Sequence, residues 1–133
     1  QKEISNFYEK NNIKNYVFNF DKNISKLIFS SDIAITRCGA SSTAELAHTL
    51  TPFVAIPLPD SIDSHQYLNA KYYENKGCCW ILEEKNLNVK NLFNLIADVI
   101  KNKNKLENIR QNMKKIYSKN VYNDIEDNIK EFI

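Results

Sequence analysis

The stretch "SDIAITRCGASSTAELAHTLTPFVAIPL" occupies residues 31–58 and contains two short apolar runs, "IAIT" and "FVAIPL". Between them, residues 41–50 have the composition of a helix, and they follow Gly39, one of only two glycines in the chain. Short apolar runs on either side of a helix are typical of a βαβ unit, in which parallel strands are buried on both faces. This stretch therefore predicts a parallel sheet covered by helices.

The same alternation of strands and helices extends in both directions from this unit. Strands are predicted over residues 15–20, 32–36, 52–58 and 78–84, and helices over residues 3–10, 23–31, 41–50, 64–77, 88–102, 103–118 and 121–133. Right-handed crossovers between parallel strands place helices on both faces of a sheet. We therefore predict an α/β fold with a Rossmann-like parallel sheet and a helical C-terminal tail. We expect residues 1–133 to form one domain, with the helices of 88–133 covering the sheet.

The composition excludes several classes of protein. The 133 residues carry 18 basic and 16 acidic side chains, and the lysines are scattered among asparagines and glutamates, which argues against a nucleic-acid-binding surface. No apolar run approaches the roughly twenty residues of a membrane-spanning helix. The three cysteines have neither metal-ligand nor disulfide spacing, so we predict no metal site and a reducing, cytoplasmic location. Since the chain begins at Gln1 without a signal peptide, we expect it to be part of a longer protein.

The junction between the strand at 32–36 and the next helix is a candidate anion site. Gly39 permits positive φ or close approach of the backbone to a ligand. Ala40, Ser41 and Ser42 then open a helix whose first N–H groups lack intrahelical partners, and these groups together with the helix dipole attract anions. On these residues alone, an ordinary N-cap is the better explanation, because a single glycine is a weak signal.

Glu45 lies one turn into this predicted helix. A carboxylate there can accept two hydrogen bonds from a ribose diol, so a phosphate-binding turn followed by this acid suggests a nucleotide. A glutamate that only complements the helix dipole is an equally good explanation.

A second polar segment, "PLPDSIDSHQYLNA" at residues 57–70, leaves the next strand at the same edge of the sheet. Its amide and imidazole groups suit sugar hydroxyls, because they offer both donors and acceptors. We assign Gln66 to ligand binding and Asn69 to packing, and we expect Asp63 and Ser64 to cap the helix. His65 is as consistent with a surface histidine as with a ligand contact.

Together, "DIAITRCGASSTAELA", "PFVAIPLP" and "DSHQYLNAKYYENKGCCWIL" resemble the C-terminal half of the MurG family within glycosyltransferase family 28. The resemblance runs from Phe20 to Leu82 and more loosely to the end of the chain. These enzymes transfer N-acetylglucosamine from its UDP derivative in peptidoglycan synthesis. The resemblance implies the GT-B arrangement of two Rossmann-like domains, of which the C-terminal one binds the donor. It implies the sugar nucleotide as substrate and no separate cofactor.

The resemblance assigns roles to individual residues. The family pattern "R-x-G-A-x-[ST]-x-x-E" falls on Arg37, Gly39, Ala40, Ser42 and Glu45. It implies that residues 40–42 bind the diphosphate and that Glu45 binds the ribose.

The remaining implied contacts lie on either side of this pattern. The family's "D-x-[HQ]-Q-x-x-N-A" falls on residues 63–70 and implies that Gln66, helped by His65, binds the sugar. The backbone around Phe20 and Asp21 matches the segment that binds uracil.

The chain also departs from the family. Asp60 stands where a histidine is usual, and Ser64 where an aspartate is frequent. The family's N-terminal acceptor domain and the "GGS-x-G" turn are absent, so we expect the catalytic residues to lie outside the chain and the 133 residues alone to be inactive. By resemblance, the whole enzyme binds a lipid-linked muramyl-pentapeptide acceptor peripherally at the inner face of the bacterial membrane.

Two other functions remain open at this point. One is a nucleotide-sugar-binding subunit of a two-chain UDP-N-acetylglucosamine transferase, whose partner carries the acceptor site. The other is a non-catalytic domain that binds nucleotide sugars.

Overall fold

A computed structural model of the protein describes residues 1–117 and residue 130. The strands are β1 (Ala34–Thr36), β2 (Phe53–Ala55) and β3 (Cys79–Ile81), and the helices are α1 (Lys2–Lys10), α2 (Ile24–Phe29), α3 (Ala40–His48), α4 (His65–Asn75), α5 (Val89–Lys101) and α6 (Lys103–Tyr117). Short 3-10 helices cover Ile62–Ser64 and Glu84–Asn86. The helix predicted over 121–133 lies outside the described residues except for residue 130, which is helical.

The three strands form a parallel sheet in the order β1-β2-β3. Ile35 of β1 is in register with Val54, and Val54 with Trp80 of β3. All three residues of β2 are buried, as expected for the central strand of a sheet that is covered on both faces. The predicted α/β fold with a parallel sheet is therefore confirmed.

Helices cover both faces of the sheet. On one face, Phe53 packs in a cluster with residues of α3, α4 and α6, and its ring lies edge-to-face against Tyr73 at 5.9 Å between centroids. On the other face, Val54, Ile56 and Leu82 pack against apolar side chains of α5. The alternation of side chains along β2 divides the core between the two faces.

The strand predicted over residues 15–20 is wrong. The structure shows no helix or strand at these residues, and Tyr16 and Phe20 are 66% and 85% exposed. The alternation of apolar residues and asparagines has the period of a strand, but a strand needs a neighbour that takes its hydrogen bonds. Within the described part of the chain, β1 pairs only with β2, so its outer edge carries no strand.

The three cysteine side chains pack in the interior of the protein. Cys38, Cys78 and Cys79 are free and buried. Burial raises the pKa of the Cys38 thiol to about 11, although the positive charge of Arg37 opposes this shift. Burial is also the main cause that raises the pKa of Cys79. Both thiols are therefore protonated at neutral pH and behave as small apolar groups.

Within residues 1–117 and 130, no helix is long and apolar enough to cross a membrane.

Candidate functional site

The β1–α3 junction presents backbone donors at the carboxyl end of the sheet. Gly39 is the N-cap of α3, and the first helical bond runs from the Thr43 N–H to the Gly39 carbonyl at 3.0 Å. The N–H groups of Ala40, Ser41 and Ser42 donate no hydrogen bond to any described residue, and no side chain caps this end of α3. Free donors at the positive end of a helix dipole form a site for an anion.

Gly39 does not use the left-handed conformation that a glycine permits. Its φ is −63° and its ψ is 146°, which is the extended geometry of an ordinary N-cap, so of the two roles open to this glycine the positive φ is not used. A Cβ at this position meets only the Ser42 Oγ, at an ordinary contact distance of 3.8 Å. What the glycine supplies is open space in front of the helix N-terminus.

This geometry predicts how Gly39→Ala behaves. The protein should unfold at nearly the wild-type temperature, because the backbone angles suit alanine and the added methyl group fits. If residues 40–42 bind the diphosphate of UDP, as the family resemblance implies, UDP affinity should fall roughly fivefold, because the methyl group costs about 1 kcal/mol of crowding where a phosphate approaches. Calorimetric titration and thermal melts measure the two effects. Unchanged affinity would mean that no ligand comes close to Gly39.

Glu45 faces a cavity beside the free donors. The cavity has a volume of about 310 Å³ and is lined by Ile24, Ile28, Ala34, Ile35, Thr36, Ser42, Glu45 and Leu46. Glu45 is half-buried, and its Oε1 accepts a hydrogen bond from the Ser25 hydroxyl of α2 at 2.5 Å. The carboxylate is therefore already oriented by a hydroxyl group, and it retains acceptor positions for further hydroxyls.

The loop at Phe20 and Asp21 precedes α2, the helix that contacts Glu45. The Asp21 carboxylate accepts hydrogen bonds from the Asn23 N–H at 2.7 Å and from the Tyr16 hydroxyl at 3.1 Å. The hydrogen bond to Asp21 raises the pKa of Tyr16. The Asp21 side chain thus shapes the loop, while the Phe20 ring is exposed.

Arg37 points towards β2 and β3. Its guanidinium forms an ion pair with Glu84 and lies 3.4 Å from the Ile56 carbonyl oxygen. Both side chains of the pair are partly exposed, 49% for Arg37 and 41% for Glu84. In this arrangement Arg37 ties the end of β1 to the loop after β3.

The second polar segment has an unusual backbone at the start of α4. Asp63 and Ser64 both have positive φ, 50° and 54°. Ser64 occupies the N-cap position of α4, but neither it nor Asp63 makes a side-chain capping bond, so the predicted capping is wrong. Left-handed backbone at residues other than glycine is concentrated in functional loops.

His65 and Gln66 begin α4 with different degrees of exposure. The Nδ1 of His65 lies 2.7 Å from the Ile62 carbonyl oxygen, so this nitrogen is the donor and Nε2 is the acceptor of the neutral ring. Gln66 is half-buried, and its Oε1 accepts hydrogen bonds from the N–H groups of Cys38 and Leu58 at 3.1 and 3.0 Å. The structure therefore joins Gln66 directly to the residue before Gly39.

Another cavity of about 310 Å³ lies between this segment and the end of β3. It is lined by Pro57, Leu58, Pro59, Ser64, Tyr67, Glu83, Glu84 and Lys85. The described residues contain no group of three or more His, Cys, Asp or Glu side chains that could hold a metal ion.

Three contacts of the site were not predicted from the sequence. These are the bond from Ser25 to Glu45, the ion pair of Arg37 with Glu84, and a bond from the Asn69 side chain to the Cys38 carbonyl oxygen. Asn69 follows Gln66 by three residues on a helix, which is the spacing of side chains on one face and could have indicated a joint role. The other two contacts join distant parts of the chain and leave no local signal.

Comparison with known proteins gives consistent results. The family model described as glycosyltransferase family 28 C-terminal domain matches residues 1–129. The UDP-N-acetylglucosamine--N-acetylmuramyl-(pentapeptide) pyrophosphoryl-undecaprenol N-acetylglucosamine transferase of Pelagibacter ubique is 40% identical over 118 residues, covering 89% of this chain and 33% of the relative. The transferase of the same name from Rickettsia massiliae is 38% identical over 115 residues, covering 86% of this chain and 31% of the relative.

A solved structure extends the likeness to the fold. The crystal structure of Acinetobacter baumannii MurG superimposes with a TM-score of 0.71 at 26% identity, covering 78% of this chain and 30% of that one. The present chain thus spans about a third of the length of the relatives that it matches.

Proposed function

The chain belongs to the family of glycosyltransferase family 28 C-terminal domains, and from this premise we propose that it binds the UDP-N-acetylglucosamine donor of an inverting N-acetylglucosaminyltransferase. In the whole enzyme, the acceptor is lipid I, a lipid-linked muramyl-pentapeptide, and the product is lipid II of peptidoglycan synthesis. The names of the Pelagibacter and Rickettsia relatives support this substrate and reaction.

One observation carries the proposal: the unpartnered N–H groups at the start of α3 and the Glu45 carboxylate belong to the same helix. Ser42 and Glu45 line one cavity. A diphosphate needs donors and a ribose diol needs an acceptor, and both lie here within about one and a half turns of helix. We assign residues 40–42 to the diphosphate and Glu45 to the ribose.

The other predicted residues complete the donor site. Because both Oε1 bonds of Gln66 go to the protein, its NH₂ group is the part that donates to a sugar hydroxyl. The Nε2 of His65 accepts from another hydroxyl. Phe20 and the backbone at Asp21 bind uracil. Arg37 acts on the donor from a greater distance than these residues, because its guanidinium is paired with Glu84.

The reaction is a direct displacement at the anomeric carbon. The 4-hydroxyl oxygen of the muramyl acceptor forms the new bond while the bond to the UDP oxygen breaks, and UDP leaves with the electron pair. The N–H groups and dipole of α3 stabilise the negative charge that grows on the leaving diphosphate. The base that takes the hydroxyl proton and the binding site for the lipid acceptor are assigned to the N-terminal domain. We place the whole enzyme at the cytoplasmic face of the membrane.

Titration calorimetry with UDP, UDP-N-acetylglucosamine and GDP tests the proposal. UDP and its sugar derivative should bind, and GDP should bind at least about tenfold more weakly, because a larger base does not fit a site built for uracil. Absence of UDP binding, or equal affinity for GDP, would contradict the assignment of a uridine site.

A further inference from the structure

Cys38, the residue before Gly39, is bonded to α4 through both its backbone N–H and its carbonyl group. Its N–H donates to the Oε1 of Gln66 at 3.1 Å, and its carbonyl accepts from the Nδ2 of Asn69 at 3.0 Å. The Cys38 side chain is fully buried, so these peptide groups have little access to water. Buried peptide groups require partners, and α4 supplies both.

The same Gln66 oxygen also accepts from the Leu58 N–H at 3.0 Å. A carbonyl oxygen has two acceptor positions, so these two bonds occupy both of them. One side-chain atom therefore joins the turn after β1 to the loop after β2. Gln66 and Asn69 are three residues apart on α4, which brings them to one face of the helix.

We propose that Gln66 and Asn69 are positioning residues that set the orientation of the β1–α3 turn, and through it the direction of the N–H groups of residues 40–42. Rotation of the Cys38 peptide groups would turn the start of α3, because only Gly39 separates them from the helix. The predicted effect of Gln66 and Asn69 on UDP binding rests on the proposed function, since the N–H groups matter for catalysis only if they bind the diphosphate.

The consequence is a coupling between the part of the donor site that binds the sugar and the part that binds the diphosphate. In the proposed donor site the NH₂ group of Gln66 contacts the sugar, while its oxygen accepts from two backbone N–H groups. Loss of the whole side chain should therefore weaken UDP itself as well as the UDP-sugar. A residue that only contacted the sugar would leave UDP binding unchanged.

Amide hydrogen exchange in the ligand-free protein tests the positioning role directly. In Gln66→Met, which removes the oxygen at similar volume, the Cys38 and Leu58 amides should exchange at least about tenfold faster than in the wild type. Gln66→Glu keeps the acceptor oxygens and should exchange at the wild-type rate. Asn75→Ala, at the exposed end of α4, is the matched control and should also leave these amides unchanged.

UDP titration completes the experiment. Gln66→Met and Asn69→Ala should each bind UDP roughly fivefold more weakly, and Asn75→Ala should bind normally. If Gln66→Met does not fold, Asn69→Ala tests the same turn from its carbonyl side. Wild-type exchange of the Cys38 and Leu58 amides in Gln66→Met, or unchanged UDP affinity in Asn69→Ala, would overturn the inference. If the wild type itself binds no UDP, the donor-site proposal fails while the exchange result still decides whether Gln66 fixes the turn.

Discussion

Glu45→Gln should lower the affinity for UDP at least tenfold. Glutamine keeps the volume and can still accept from the Ser25 hydroxyl, but it loses the charge-assisted hydrogen bonds to a ribose diol, each of which is worth about 1.5–3 kcal/mol. Titration calorimetry measures the loss, and thermal melts should show little change because Glu45 is only half-buried.

The ligand offers an internal control for this variant. A UDP analogue without the two ribose hydroxyls should bind the wild type and Glu45→Gln equally, because the contact is then absent from both. Glu3→Gln, an exposed acid on α1, controls for the change in net charge. If Glu45→Gln weakened the analogue as much as UDP, the carboxylate would act on the ligand by some route other than the diol.

Gly77→Ala should destabilise the fold by about 2 kcal/mol or more. Gly77 has φ of +66°, where an L-residue costs roughly 1–2 kcal/mol. A Cβ there would also lie 2.7 Å from the Nδ2 of Asn112, which donates to the Gly77 carbonyl at 3.1 Å and so ties α6 to the end of α4. Denaturant unfolding measures the loss of stability.

A second substitution separates the two causes of the lost stability, which are the backbone conformation and the clash with Asn112. Gly77→Ala combined with Asn112→Ala removes the clash and keeps the backbone cost, so the double variant should be less destabilised than the sum of the two single ones. Gly39→Ala is the matched glycine variant, with no positive φ. A Gly77→Ala protein as stable as the wild type would contradict both the cost assigned to the positive φ and the clash with Asn112.

The strands and helices of the βαβ units were predictable because their apolar periods are strong and agree with the flanking turn residues. β2 is a continuous apolar run between Thr51 and Pro57, and α4 ends just before Gly77, as the sequence indicates. The segment 15–20 has an equally clear strand period, yet it is not a strand. Periodicity reports which side chains avoid water, whereas strand formation also depends on a pairing partner elsewhere.

The placement of the candidate residues in the fold was more predictable than the contacts between them. The sequence predicts a helix N-terminus after Gly39 and polar groups at the next strand end, and the structure brings Gln66 to the residue before Gly39. The conformation of Gly39 was not predictable, because glycine at an N-cap needs no unusual angle. The link from Ser25 to Glu45 depends on how α2 packs against α3, which local sequence does not encode.

The left-handed pair at Asp63 and Ser64 bears on how this protein would respond to selection for heat resistance. Each of these residues has a backbone conformation that glycine adopts at a lower free-energy cost. Replacing one or both of them with glycine, by one or two codon changes, should therefore stabilise the start of α4. Mutants selected only for survival at high temperature should therefore accumulate changes in this loop. Ser64 also lines a cavity, so a substitution that stabilises the fold at this position would also change the shape of the cavity.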